Sequence, residues 1–138
     1  MFANESFDLI FHPVSNVFAP DIIPVWRECY RVLRHGGNLL AGFDNPIIYI
    51  FDSDKLEQGV YEVRYSLPYS DLTSLNELDL QRRVDEGWPL EFSHTLEEQL
   101  SGQIQAGFAI TGFYEDIDPQ APISQYTPIY LASRATKL

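Results

Sequence analysis

Two short apolar runs enclose an amphipathic segment near the start of this sequence, and this arrangement restricts the folds that the chain can adopt. The first run, Phe7 to Phe11, is followed by a His-Pro pair and is typical of a buried strand that leads into a loop. From Asp21 to Arg34, apolar residues recur at three- and four-residue spacing, which predicts a helix. A second apolar run, Asn38 to Phe43, follows the pair Gly36-Gly37. Strand, helix and strand within about forty residues predict a right-handed parallel crossover unit.

The middle of the chain has a different pattern. Ile47 to Phe51 and Val60 to Leu67 are rich in β-branched and aromatic residues and flank a polar stretch, so we expect a hairpin with a long tip. A short helix is predicted over Leu75 to Glu86. The acidic stretch from Asp71 to Glu91 mixes carboxylates with arginines and with leucines at helical spacing, and we interpret it as a solvated face.

The last third of the chain predicts one helix and two strands. Thr95 and Glu98 have the spacing of a capping box, which predicts a helix from Leu96 to Ala106 that ends at a glycine. Strands are expected at Phe108 to Tyr114 and at Tyr126 to Arg134, separated by a loop that contains two prolines.

Composition and charge exclude several classes of protein. The 138 residues carry a formal net charge of -11, which repels phosphate backbones, so a nucleic-acid partner is not expected. No apolar run approaches the roughly 18 residues that a membrane span needs, and the single cysteine indicates no disulfide framework. No secretory signal pattern is present, so we expect a cytoplasmic protein without a membrane partner.

The strand and helix segments resemble a known family. The segment Glu5 to Phe11 reads ESFDLIF, and the segment Val25 to Leu40 reads VWRECYRVLRHGGNLL. Together they resemble the fourth strand, the following helix and the fifth strand of class I S-adenosylmethionine-dependent methyltransferases, of the type 11-like group. His35 stands where the family usually has a proline, but the Gly-Gly turn is intact. Phe108 to Asp116 and Tyr126 to Arg134 resemble the closing pair of strands of the same family.

The resemblance implies an α/β fold. In the family the strands lie in the order 3-2-1-4-5-7-6 with strand seven antiparallel, so this chain is expected to form a mixed sheet of about four neighbouring strands from the C-terminal half of a Rossmann-like fold. Residues 1–138 are interpreted as a single truncated domain, with 44–94 as an inserted hairpin or cap region. No glycine-rich G-x-G turn occurs in the sequence, so the half that grips the cofactor is expected to be missing and the fragment alone to be weakly active or inert.

The resemblance also assigns candidate site residues, which follow the first two predicted strands. If the missing half completes the site, the cofactor S-adenosylmethionine is expected beside His12, Pro13, Val14 and Ser15; the fragment alone is expected to bind none. The residues expected to face the methyl acceptor are Asn16, Phe43, Asp44 and Asn45. No catalytic residue and no metal ligand is assigned.

Several candidate residues have alternative interpretations. His12 is either a general base near the acceptor or, as we favour, a loop residue whose ring orders the residues that follow it. His35 and His94 have no ligand-like neighbours in sequence and are interpreted as exposed turn residues. Cys29 lies on the apolar face of the predicted helix and is expected to be an inert packing residue.

The aromatic residues of the insert also admit two interpretations. They can form a cap over a small substrate, or they can pack on the core as one face of a strand, which we favour for any single residue. The five residues in question are Tyr49, Phe51, Tyr61, Tyr65 and Tyr69.

Three functions are compatible with these observations. The first is a methyltransferase fragment for an unknown small-molecule acceptor, and the second is a non-catalytic dimeric binding or assembly module built on the half-sheet. The third is a split enzyme that regains activity with a separate N-terminal half. In each case the apolar strand at 7–11 lies at an edge of the sheet with unpaired backbone groups. We therefore expect a homodimer through this edge or pairing with an N-terminal half.

Overall fold

The computed structural model describes residues 1–138, which form one mixed β-sheet with two helices packed against it and an irregular region inserted after the second strand. The four strands are β1 (Phe7–Pro13), β2 (Leu33–Asp44), β3 (Ala109–Asp116) and β4 (Tyr130–Thr136). The α-helices are α1 (Ile23–Val32), α2 (Ser53–Glu57), α3 (Asp71–Ser74), α4 (Glu77–Asp85) and α5 (Gly102–Ala106). Single 3-10 turns lie at Asn16–Phe18, Pro46–Ile50 and Pro122–Gln125, and a π turn at Glu97–Ser101 leads into α5.

The sheet has the strand order β1-β2-β4-β3. Strands β1 and β2 are parallel, with Phe11 opposite Leu40, and β4 runs antiparallel to both of its neighbours. This is the order 4-5-7-6 that the family resemblance implies, with strand seven antiparallel. The predicted fold class and the parallel crossover are therefore confirmed.

A turn near the start of β2 depends on two glycines. Gly36 has φ +82°, a left-handed conformation that favours glycine. A Cβ atom on Gly37 would lie 2.9 Å from the carbonyl oxygen of Arg34 and 3.0 Å from that of Asp8. The helix ends at Val32, two residues earlier than predicted, because the chain becomes extended at Leu33 and pairs with β1 before the glycine turn.

The core lies between the sheet and the helices α1 and α5. Trp26 is fully buried, and its indole N–H donates to the carbonyl oxygen of Glu98 at 3.0 Å. The eight buried residues of this cluster are Ile22, Trp26, Cys29, Leu33, Leu39, Ala41, Phe108 and Ala135. Burial raises the pKa of the Cys29 thiol to about 11, in agreement with its predicted role as an inert packing residue.

The predicted hairpin in the insert is not formed. Asn45 caps a 3-10 turn by accepting a hydrogen bond from the Ile47 amide at 3.2 Å, and Pro46 at the first position suits that turn. Asp52 then caps α2, so the chain forms helical turns where its β-propensity predicted a hairpin. One antiparallel bridge, Phe51 to Val63, remains of the expected strand pair.

The capping box at Thr95 is confirmed. The Glu98 carboxylate accepts from the Thr95 amide at 2.9 Å, and the Thr95 hydroxyl accepts from the Glu98 amide at 3.1 Å. The helix that follows starts as a π turn, in which the Gly102 amide donates to the Glu97 carbonyl. The Glu98 carbonyl accepts from the Trp26 indole instead of from the helix backbone. Gly107, with φ +115°, ends the helix as predicted.

No helix in the structure combines the length and the apolar character that crossing a membrane requires.

Candidate functional site

The carboxyl ends of β1 and β2 lie side by side, because the two strands are parallel. His12 is paired with Ala41 and Pro13 with Gly42, and the Val14 amide donates to the Gly42 carbonyl at 2.8 Å. The residues that follow both strands therefore meet at one edge of the sheet. In open α/β sheets, ligands bind beyond this edge.

The loop after β1 is ordered by side-chain hydrogen bonds. His12 Nε2 lies 2.6 Å from Asn16 Oδ1 and 3.3 Å from Ser15 Oγ, so the ring has the loop-ordering contacts that the sequence favoured. Val14 has φ +37°, which is unusual for a β-branched residue and requires the surrounding structure to hold it. Pro13, Val14 and Ser15 are exposed, whereas His12 is half-buried.

Below this loop, a chain of buried polar groups connects it to the core. The Asn16 side-chain amide donates to Gln99 Oε1 at 2.7 Å, and the Gln99 carbonyl accepts from the Gln103 side chain at 2.8 Å. Gln103 in turn accepts from the Ser133 hydroxyl at 3.0 Å. Every buried side-chain nitrogen and oxygen of the chain has a hydrogen-bond partner, so this network is a rigid support for the loop.

The four residues expected to face an acceptor lie in different environments. Asn16 is 1% exposed with both ends of its amide engaged, and Phe43 is fully buried in β2. Asn45 caps the turn after β2 and donates to the Pro128 carbonyl at 3.1 Å. Phe43 lines a small cavity together with Val14 and Gly42. Asp44, the one acidic residue of the four, lines a different cavity and is our candidate for acid–base chemistry.

This cavity has a volume of about 340 Å³ and lies between the end of β2, the inserted region and the start of β4. Sites for small molecules commonly have volumes of roughly 300–1,000 Å³. The aromatic residues that line it are Tyr49, Phe51, Tyr65, Tyr69 and Tyr130. Four of the five aromatic residues of the insert that were candidates for a cap therefore line the cavity. The fifth, Tyr61, packs against Tyr126.

The inner wall of the cavity is a network of tyrosines and carboxylates. The Tyr49 hydroxyl donates to Glu91 Oε2 at 3.0 Å, and the Tyr69 hydroxyl donates to Asp71 Oδ1 at 2.5 Å. Arg83 lies 3.3 Å from Asp71 and 3.6 Å from Glu91. Burial raises the pKa of both tyrosines, so the two hydroxyls remain protonated donors.

Asp44 is electrostatically distinct from the other carboxylates. Burial, followed by the nearby negative charge of Glu91, raises its pKa to about 6. No lysine, arginine or histidine nitrogen lies within the 4.0 Å of its carboxylate that defines an ion pair. Asp44 is therefore a carboxylate that changes its protonation state near neutral pH.

The sequence interpretation missed part of this wall. Asp71 is fully buried, and Glu91 and Arg83 face the cavity, so the interpretation of Asp71 to Glu91 as a solvated face is wrong at these positions. His94 is also not an exposed turn residue: it is 6% exposed, and its Nε2 donates to the carbonyls of Asn16 and Ala19. No group of three or more His, Cys, Asp or Glu side chains is placed to hold a metal ion.

Comparison with known proteins identifies similar chains. A family model described as a methyltransferase domain matches residues 1–41. The uncharacterized methyltransferase YbaJ of Bacillus subtilis is 45% identical over all 138 residues, which span 54% of its length. The chain thus covers about half of this curated relative.

Solved structures share the fold. An S-adenosylmethionine-dependent methyltransferase from Mesorhizobium loti superposes with a TM-score of 0.69 at 18% identity, over 99% of this chain and 64% of that one. An S-adenosylmethionine-dependent methyltransferase from Methanosarcina mazei superposes with a TM-score of 0.60 at 17% identity, over 99% of this chain and 62% of that one. At these identities the likeness concerns the fold alone.

Proposed function

Because this chain belongs to the class I S-adenosylmethionine-dependent methyltransferases, we propose that it supplies the acceptor pocket and one wall of the cofactor site of an enzyme that methylates a small molecule. S-adenosylmethionine is the cofactor of this family. It would supply an electrophilic methyl group bound to a positively charged sulfur. The residues of this chain would position the acceptor and take up its proton.

The loop after β1 has the features needed for one wall of the cofactor site. Its exposed residues Pro13, Val14 and Ser15 lie at the carboxyl end of the strand, where the family resemblance puts the methionine end of the cofactor. Val14 has a positive φ, and backbone strain of this kind is common at ligand sites. These three residues would contact the cofactor, and His12 and Asn16 would hold them in position.

The observation that carries the proposal is that this loop and the cavity share one edge of the sheet. Val14 bonds to Gly42, and Asp44 lies two residues further along β2, which corresponds to about 7 Å of strand. Methyl transfer requires the acceptor atom and the sulfonium methyl to be adjacent and in line. An acceptor in the cavity beside Asp44 and a cofactor beside Val14 would lie next to each other at this edge of the sheet.

The proposal is tested by reconstitution. The chain is co-expressed with the part of Bacillus subtilis YbaJ that lies outside the 138 matched residues, and transfer is followed with S-adenosylmethionine labelled in its methyl group. We expect labelled product from a cell extract of small molecules with the combined halves, and none with either half alone. Calorimetry on the 138-residue chain alone is expected to detect no binding of S-adenosylmethionine.

Two outcomes would contradict the proposal. Combined halves that bind each other but not S-adenosylmethionine would exclude the cofactor wall assigned to Val14. Micromolar cofactor binding by the 138-residue chain alone would mean that the cofactor site is carried by other residues of this chain.

We further propose that the edge of β1 pairs with another polypeptide, a second copy of the chain when it is alone. Leu9 is 55% exposed and Phe11 74% exposed on this strand, which has a neighbour on one side only. An unpaired apolar edge strand favours pairing with a further strand. The non-catalytic assembly module has no supporting observation beyond this edge, whereas the cavity and the loop support an enzyme.

A further inference from the structure

The cavity beside Asp44 has walls of two kinds, aromatic rings and carboxylates. Tyr49 and Tyr69 lie with their ring centroids 5.4 Å apart, and Tyr65 lies edge-on to Tyr69 at 5.0 Å. The negative faces of such rings attract cations. The aromatic wall therefore suits a positively charged group as well as an apolar body.

The charged groups of the cavity leave an excess of negative charge. Six carboxylates line it, those of Asp44, Asp52, Asp54, Glu57, Asp79 and Glu91, against three guanidinium groups. Each guanidinium already has a carboxylate partner: Arg64 pairs with Asp52 at 2.8 Å, Arg82 with Asp79 at 3.6 Å and Arg83 with Asp71 at 3.3 Å. Because carboxylates outnumber guanidinium groups in the cavity, its electrostatic field favours a cationic ligand over a phosphate or a carboxylate.

Asp44 lacks the partner that the other inner carboxylates have. Asp71 and Glu91 share Arg83 as an ion-pair partner, but no cationic side chain reaches Asp44. A partly buried carboxylate without a cationic partner is unfavourable unless a ligand provides the positive charge. A cavity of about 340 Å³ with tyrosine walls leaves room for such a ligand beside it.

We propose that the methyl acceptor is a small molecule with a basic nitrogen, whose ammonium group lies against Asp44 and whose body lies on Tyr49 and Tyr69. This inference rests on the proposed function and names the acceptor class.

The ammonium gives one proton to the Asp44 carboxylate, and the freed lone pair of the nitrogen then forms a bond to the methyl carbon. The methyl–sulfur bond breaks with its electrons retained by sulfur. The product is a methylated ammonium ion, and Asp44 returns its proton to water.

The test uses three probes of equal size and different charge on the 138-residue chain, with no cofactor present. Benzylamine is a cation at pH 7.5, benzyl alcohol is neutral and benzoate is an anion, and binding is followed by NMR chemical-shift changes of Tyr49 and Tyr69. We expect benzylamine to bind at least about tenfold more tightly than benzyl alcohol, and benzoate not to bind.

Two variants locate the site. Asp44→Asn is expected to weaken benzylamine binding about tenfold and to leave benzyl alcohol unaffected. Asp85→Asn removes the same charge from an exposed position on α4 outside the cavity and is expected to change neither affinity. The NMR spectrum of Asp44→Asn without ligand shows whether the variant is folded, so loss of binding is distinguished from unfolding.

The two proposals fail in different experiments. Equal binding of benzylamine and benzyl alcohol, no binding of benzylamine, or equal effects of the two variants would overturn the amine inference. Charge-selective binding without methyl transfer by the reconstituted halves would overturn the proposed function. Labelled transfer to an acceptor that has no basic nitrogen would overturn the acceptor class while leaving the methyltransferase function intact.

Discussion

The Asn16 side-chain amide donates a hydrogen bond to Gln99 at 2.7 Å, across 83 positions of sequence. This contact joins the loop after β1 to the helical segment that precedes β3. Both residues are buried, at 1% and 3% exposure, so neither can exchange its partner for water.

The first prediction concerns this contact. Gln99→Ala leaves the Asn16 amide without an acceptor in a buried position, so we expect the free energy of unfolding to fall by about 2 kcal/mol. Gln105→Ala is the control, since Gln105 is exposed near the end of the same helix and the same atoms are removed. Urea unfolding measures both variants. A loss for Gln99→Ala no larger than that for Gln105→Ala would contradict a supporting role of the network.

The second prediction concerns the pH dependence of Asp44. Its pKa in the folded chain, about 6, is above the ordinary 3.8, because burial and Glu91 disfavour the charged form while the Tyr49 hydroxyl only partly offsets them. The folded state therefore binds more protons between these values, and Asp44 destabilises the fold increasingly as pH rises from about 4 through 6.

Asp44→Asn removes this penalty. We expect the variant to exceed the parent in unfolding free energy by up to about 3 kcal/mol at pH 8 and the difference to shrink towards zero near pH 4. Asp85→Asn, at an exposed carboxylate, is expected to give a small difference that does not follow this curve. Urea unfolding at a series of pH values measures both, and a pH-independent effect of Asp44→Asn would be inconsistent with the burial argument.

The third prediction concerns the contact between α1 and α5. A Cβ atom on Gly102 would lie 2.7 Å from Cδ1 of Trp26 and 2.9 Å from Cδ1 of Ile23. Gly102→Ala is therefore expected to lower the melting temperature and to reduce the free energy of unfolding by about 1–3 kcal/mol. This loss is expected even though alanine has a higher helix propensity than glycine. Gly112→Ala in β3, where the nearest atom is 3.6 Å away, is expected to be tolerated. A more stable Gly102→Ala variant would mean that the two helices can separate at little cost.

The fourth prediction concerns the apolar edge of β1. Light scattering on the 138-residue chain at micromolar concentration is expected to give the mass of a dimer. Phe11→Lys introduces a charge on the most exposed apolar side chain of the strand, and we expect it to shift the chain towards the monomer. Phe18→Lys, at a half-exposed position outside the strand, is the matched control. A monomeric parent chain would rule out pairing with a second copy.

The sheet was predictable because each strand carries its own local pattern. The run from Phe7 to Phe11 and the Gly36-Gly37 turn fix a parallel pair, and the handedness of the crossover then fixes the side on which the helix lies. The inserted region was not predictable in the same way. Asn45 and Asp52 act as caps there, and these single hydrogen bonds outweighed the β-propensity of Ile47 to Phe51.

The family resemblance assigned Asp44 to the candidate site as a residue that follows the second predicted strand, and this assignment stays a prediction. The composition of the cavity wall was predicted only in part. Asp71 and Arg83 were missed, because a buried carboxylate paired with a distant arginine has the same local pattern as an exposed one. The one local signal was Tyr69, two residues before Asp71, whose hydroxyl reaches that carboxylate.

The segment from Glu91 to His94 is bonded to both halves of the site. Phe92 donates to the Val17 carbonyl at 2.7 Å, and Ser93 donates to the Tyr69 carbonyl at 2.9 Å. We expect a molecule bound at the tyrosine wall to restrict the loop after β1 through this segment. The coupling would be reciprocal, so each ligand would change the affinity for the other by the same factor.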